Sequence, residues 1–174
     1  MKNKTKELAL ASILTALSVL ITYSPLKLVL PFFTLTLGAH VPTMLAIFVG
    51  PWVTVMTIIG SCVGFFLTIP APNSIIVVAR AATHIIFAIA GISMLKKNYN
   101  IFVIIIITAI LHSLAEGIVV YILTPIILDS ATAALAAGGI AAGGTILHHA
   151  IDSAITAPIL IALTKAKIVK RRYQ

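Results

Sequence analysis

The sequence predicts an all-α integral membrane protein with six transmembrane helices and both termini cytoplasmic. Three observations lead there. The 174 residues are 60% hydrophobic and only 9% charged, against about 25% charged in soluble domains. Apolar runs of about 20 residues recur, the length that crosses a bilayer. Basic residues keep to the flanks of those runs. In a six-helix count Lys2, Lys4, Lys6, Lys96, Lys97, Lys165, Lys167, Lys170, Arg171 and Arg172 fall on one face, leaving Lys27 and Asp129 on the other. An excess of Lys and Arg marks the cytoplasmic side.

The helices are expected over residues 8–23, 38–49, 52–69, 74–95, 101–123 and 145–164. The first follows a basic N-terminus and reads as a retained helix, since no small-residue cleavage site with a soluble domain follows it. The run 28–49 is long enough to span but is interrupted by Pro31, Gly38 and Pro42. Residues 28–37 are therefore read as a partly buried loop and 38–49 as a short helix. Gly50-Pro51 is a turn, with proline suited to a helix start. Pro70-Ala71-Pro72-Asn73 is a second break, and Lys96-Lys97-Asn98-Tyr99-Asn100 a polar turn. The fifth helix ends near Pro125. The small-residue stretch 128–144 reads as a loop with room for one short helix. The whole chain, 1–174, forms one membrane domain.

Composition excludes some classes. The net charge of +8 would suit nucleic acid, but its confinement to helix flanks argues against that partner. A single cysteine, Cys62, rules out an intrachain disulfide.

Six ionisable side chains lie inside the apolar segments, in three pairs at helical spacing: Arg80 and His84, His112 and Glu116, His148 and Asp152. Residues at i and i+4 share a helix face, and a charge in hydrocarbon normally faces the protein interior or a wet cavity. The topology places these residues, with His149 and His40, between the midplane and the outer surface. The cytoplasmic halves are almost purely apolar. A conduit for protons or ions would carry polar groups through the full thickness, so the pattern is that of a pocket open to the outside. Each residue also has a plainer reading, in which a membrane histidine satisfies a neighbouring carbonyl and Arg80 forms an ion pair with Glu116 or Asp152.

Aromatic residues cluster at the same level: Phe65, Phe66, Tyr23, Phe32, Phe33 and Tyr121. Interfacial belts account for such residues by default; stacking on a flat heteroaromatic ligand is the sharper alternative. On the first helix, Ser12-Ile13-Leu14-Thr15-Ala16 is a small-xxx-small pattern that permits close helix approach.

The whole chain resembles the substrate-binding S-component of energy-coupling factor (ECF) vitamin transporters in size, helix count, cytoplasmic termini and a long first external loop. Ser12 and Ala16 match the family's first-helix docking motif, with Ser where Ala is usual. Ala39-His40-Val41-Pro42, Gly50-Pro51, Gly60, Gly64-Phe65-Phe66 and the stretch 79–88 are similar to the niacin-type branch. The resemblance implies a binding subunit, not an enzyme, that captures a small vitamin outside. It would then dock on a transmembrane coupling subunit carrying two ATPases and topple to release its cargo. It implies no cofactor in this chain. ATP would be used by the partners, and no Gly-x-x-x-x-Gly-Lys-Ser/Thr loop occurs here. The expected substrate contacts are Arg80, His84, His112, Glu116, His148 and Asp152, with His40 and Phe65 behind them. Arg80 suits a carboxylate such as nicotinate, whereas Glu116 and Asp152 oppose an anion unless paired or neutral.

Other readings stay open at this level. Hydroxymethylpyrimidine, pyridoxine and pantothenate receptors share the architecture. His40, His112, Glu116, His148, His149 and Asp152 also suit zinc, nickel or cobalt, as in a divalent-metal transporter subunit, although Arg80 sits awkwardly beside a cation. A proton-coupled carrier, a membrane enzyme and a structural subunit complete the alternatives.

Overall fold

The apolar runs become long helices, and their greasy faces turn outward. In the computed structural model, residues 4–30 and 33–169 are described. Phe32, Pro31, Lys2, Lys170, Arg171 and Arg172 lie outside them. The elements are α1 (Lys4–Thr22), β1 (Lys27–Leu30), β2 (Phe33–Thr36), α2 (Val41–Val49), α3 (Pro51–Thr68), α4 (Asn73–Ala82), α5 (His84–Lys96), α6 (Ile101–Ile127) and α7 (Ala134–Lys165). Among the described residues, five segments are long and apolar enough to cross a membrane: α1, α3, the α4–α5 unit, α6, and residues 131–165. Large side chains such as Leu20, Ile106 and Leu147 are exposed, while Arg80, Glu116, Asp152 and all five histidines are buried. Polar inside and apolar outside is the arrangement a lipid solvent demands.

The second helix is short. Nine residues at about 1.5 Å each cover roughly half of a bilayer core. Residues Val41–Phe48 of α2 are nevertheless all buried. The rest of that stretch is filled by a feature the sequence did not reveal. Residues read as a loop form an antiparallel hairpin, with Lys27 opposite Thr36 and Leu30 opposite Phe33. Phe33 and Thr36 are buried. Helix α7 covers the β2 strand of this hairpin. A Cβ on Gly144 would lie 2.6 Å from the Phe33 ring, so the helix has no side chain there.

Three further boundaries differ from expectation. Helix α6 runs through Pro125 to Ile127; the proline lies in the last turn, where little helix remains to break. Helix α7 begins at Ala134 rather than near residue 145. Gly138 serves close packing on α6: a Cβ there would lie 2.9 Å from the Gly117 carbonyl. Small residues at interfaces are the usual means of joining membrane helices. The expected fourth helix is divided at Thr83, whose Oγ1 donates to the Arg80 carbonyl at 2.6 Å. Such back-bonding bends helices.

Helix α1 packs on α3 through Gly60 and Gly64. A Cβ on Gly60 would stand 2.8 Å from the Thr15 carbonyl oxygen, and Ser18 Oγ donates across the seam to the Thr57 carbonyl at 3.0 Å. Gly60→Leu is expected to destabilise the protein by about 1–3 kcal/mol, as overpacking does. Thermal unfolding in detergent checks this; an unshifted midpoint would refute the close α1–α3 seam. At the far ends of the chain, Lys6 Nζ donates to the Lys167 carbonyl at 3.2 Å. The start of α1 and the end of α7 therefore share one face.

Candidate ligand-binding site

Helical periodicity set each ionisable pair on one face; packing brings the faces together. Two carboxylates organise the centre. Glu116, on α6, is 3% exposed. Its Oε2 accepts from Arg80 Nε at 2.9 Å, Arg80 Nη2 at 2.6 Å and Thr145 Oγ1 at 2.6 Å. Its Oε1 faces His84 Nε2 at 3.3 Å and His112 Nε2 at 3.2 Å. The bend at Thr83 does not separate Arg80 from His84; both reach the same carboxylate.

Asp152, on α7, is wholly buried. Oδ1 accepts from the Gly38 N–H at 2.9 Å. Oδ2 accepts from the His40 N–H at 3.0 Å, from His40 Nδ1 at 2.9 Å and from His148 Nε2 at 3.1 Å. Gly38 sits at φ +80°, a conformation that glycine adopts freely. Asp152 thereby ties the turn before α2 to α7, and it satisfies N–H groups at the entry to α2 as an N-terminal carboxylate does. His148 Nε2 is also 3.0 Å from the Thr36 carbonyl, which fixes the end of β2.

Four histidines pack edge to face at the centre. His40 lies 4.7, 4.6 and 4.3 Å from His84, His112 and His148, ring centre to ring centre. A fifth, His149, meets His112 through facing Nδ1 atoms at 3.0 Å. Phe87 closes the inner side, 4.6 Å from His112.

Two cavities flank Arg80. The inner one, about 20 Å³, is lined by Thr36, His40, Phe65, His84, Glu116 and His148, among others. That is room for about one water. Two buried atoms at it, His84 Nδ1 and Thr36 Oγ1, have no hydrogen-bond partner. The other cavity, about 250 Å³, lies where α3 ends and α4 begins, away from the shared face of the chain ends. Lys27, Phe33, Thr34, Asn73, Val77, Arg80 and Thr124 are among its lining residues, and no carboxylate is found there among the described residues. Arg80, Thr34 and Val77 line both cavities. The Arg80 guanidinium lies 5.1 Å from the centre of the Phe33 ring, within cation–π range. Its Nη1 reaches Thr34 Oγ1 at 3.3 Å.

All eight residues expected at the site thus meet in one region, with Phe65 on the inner cavity wall. The aromatics separate. Phe33 and Phe65 are buried, whereas Phe66, Tyr23 and Tyr121 are exposed on the outer surface where lipid would lie. Thr145, Thr34, Thr36 and Lys27 were not anticipated. Thr145 precedes His148 by three residues and shares its face, a signal that was readable. The hairpin residues carried none. Ser12 and Ala16 lie far from this centre, exposed on α1; Ser12 Oγ donates to the Leu8 carbonyl at 3.0 Å within the helix.

Span-length helices with apolar exteriors, wrapped around a buried ionic centre, define a multi-pass membrane protein. The chain is similar to the niacin transporter NiaX of Lactococcus lactis subsp. cremoris (strain MG1363), at 35% identity over 128 residues. The match covers 69% of this chain and 56% of the relative, so this chain spans little more than half of that protein's length. No protein-family model matches the chain, and no solved structure matches it.

Proposed function

We propose that this chain is the substrate-binding component of an ECF-type vitamin transporter, with niacin as its cargo, and not an enzyme. The observation that carries the proposal is the 250 Å³ cavity. It presents two cations, Arg80 and Lys27, beside the Phe33 ring, with no carboxylate on its wall. A ring-sized anion matches that lining: a carboxylate pairs with guanidinium in a bidentate fork, and an aromatic ring packs on Phe33 and Val77. Arg80 gives three of its five N–H groups to Glu116 and Thr34. Two remain for a ligand among the described residues. Glu116 holds the guanidinium, while His84, His112, His40, His148 and Asp152 form the floor beneath it and Phe65 a side wall. Similarity to a niacin transporter supports the choice of cargo.

The topology in this reading has six passes, with both termini cytoplasmic. Five long helices alone would leave the ends on opposite sides; the hairpin and α2 together make the remaining crossing. The Lys6–Lys167 contact supports the even count, and the basic flanks support the orientation. The cavity then opens outward. ATP hydrolysis belongs to two partner ATPases joined through a coupling subunit.

Calorimetry on the purified protein tests the cargo. Nicotinate is expected to bind at least tenfold more tightly than nicotinamide, hydroxymethylpyrimidine or pyridoxine, because it alone offers the cations an aromatic carboxylate. Binding of none of the four would end the reading. The coupling surface is tested separately. Ser12→Leu or Ala16→Leu, on the exposed face of α1, is expected to reduce uptake by the assembled transporter at least tenfold while nicotinate binding stays within twofold. Loss of binding instead would remove α1 as the docking helix.

A further inference from the structure

We propose that His40, His84, His112 and Glu116 form a transition-metal site, suited to zinc, beneath the vitamin cavity. One donor atom from each of these buried residues lies within 4.8 Å of the other three. Zinc bound at about 2.0–2.1 Å in a tetrahedron sets its ligands roughly 3.3 Å apart. His84 Nε2 and His112 Nε2 already stand 3.3 and 3.2 Å from Glu116 Oε1. No other pair need close by more than about 1.5 Å, within the reach of ring rotation. Three imidazoles and one carboxylate are a zinc-type donor set.

The proton inventory points the same way. Thr108 Oγ1 lies 2.7 Å from the Ile104 carbonyl and 3.3 Å from His149 Nε2. Its hydroxyl proton goes to the nearer acceptor, so His149 donates to Thr108 through Nε2 and leaves its Nδ1 bare. That nitrogen accepts from His112 Nδ1–H at 3.0 Å. A neutral His112 then turns a bare Nε2 toward a carboxylate oxygen. His40 has the same asymmetry: its Nδ1–H is given to Asp152, which leaves Nε2 free. Carboxylate–histidine–metal relays of this kind orient metal-binding histidines. A bare His112 Nε2 3.2 Å from an anionic oxygen, with a His40 donor in the same cluster, is a setting that a metal ion completes.

Charge balance favours a cation. With neutral histidines, the buried centre holds one guanidinium against two carboxylates, a net −1 that a bound cation offsets. Arg80 is no obstacle, because it holds Oε2 and leaves Oε1 to the metal. The site amends the expectation of a cofactor-free chain and differs from the ligand set read from sequence, which lacked His84; His148 and Asp152 of that set form a second group with His40.

The experiment uses the full chain without a polyhistidine tag, purified in detergent, stripped with chelator and titrated with zinc alone. One zinc per chain is expected, with affinity falling at least tenfold in His84→Ala and again in His112→Ala. Cobalt substitution of the wild-type protein gives a readout independent of whether the variants fold: intense tetrahedral d–d absorption is expected. Absence of stoichiometric zinc overturns the site. Zinc affinity unchanged in both variants, or a weak octahedral cobalt spectrum, overturns the ligand assignment. Because no vitamin is present, this outcome is separate from that of the nicotinate titration.

Discussion

Glu116→Ala is expected to destabilise the protein by about 3–5 kcal/mol, the cost of leaving a buried charge without its partner. The carboxylate is the acceptor for Arg80 and Thr145 and faces His84 and His112. Its removal strands a guanidinium that is 5% exposed, and water from the cavities beside Arg80 replaces the lost pair only in part. Thermal unfolding in detergent is the measurement, with Asp129→Asn as the control that should not shift: it removes an exposed charge at φ +49°, a conformation that Asn tolerates as Asp does. Glu116→Gln keeps an oxygen for the guanidinium and is expected to lose less. A Glu116→Ala protein that melts with wild type and still binds nicotinate would show that Glu116 is not the keystone of the centre.

Arg80→Ala is expected to weaken nicotinate binding by about 2–5 kcal/mol, the usual range for truncating one partner of a buried charged pair. The loss has a chemical signature. Nicotinamide lacks the carboxylate, so its weaker binding should fall much less, and the preference for nicotinate should collapse. Arg80→Lys retains charge but not the fork and is expected to lie between. Calorimetry on all three proteins with both ligands decides the matter. Equal losses for the two ligands would mean that Arg80 only shapes the cavity and that the carboxylate binds elsewhere.

The geometry explains why the most telling residues were those that looked most out of place. Ionisable groups in apolar runs are costly, so their spacing already indicated faces that must turn inward. Arg80, His84, His112, Glu116, His148 and Asp152 were legible on that ground alone. Their division of labour was not. Glu116 anchors the cation, whereas Asp152 has its oxygens engaged by the Gly38–His40 turn and two imidazoles. The i, i+4 rule gives a face but no partner, and both carboxylates follow a histidine by four residues.

The hairpin was hidden for a related reason. Residues 27–36 carry too few residues between Pro25 and Gly38 for a pattern of period two to stand out, and a strand in lipid is viable only where other elements cover it. Gly144 and Asp152, more than a hundred residues away, provide the room and the tether. Residues 134–144 misled in the opposite direction. Their glycines suggested a break, yet Gly138 permits backbone contact with α6 and Gly144 makes room for Phe33, which larger side chains would prevent.

The sequence by itself determined that the chain lies in a membrane, where its long helices run, which faces turn inward and which end is basic. These follow from composition and local period, because lipid excludes uncompensated charge whatever the fold. Tertiary structure alone decided that three separate helical pairs converge with His40, that residues 27–36 pair as a hairpin ahead of α2, and that two cations share a cavity with no carboxylate among its described lining residues. Those depend on contacts between residues far apart in the chain, set by helix packing rather than by any local signal.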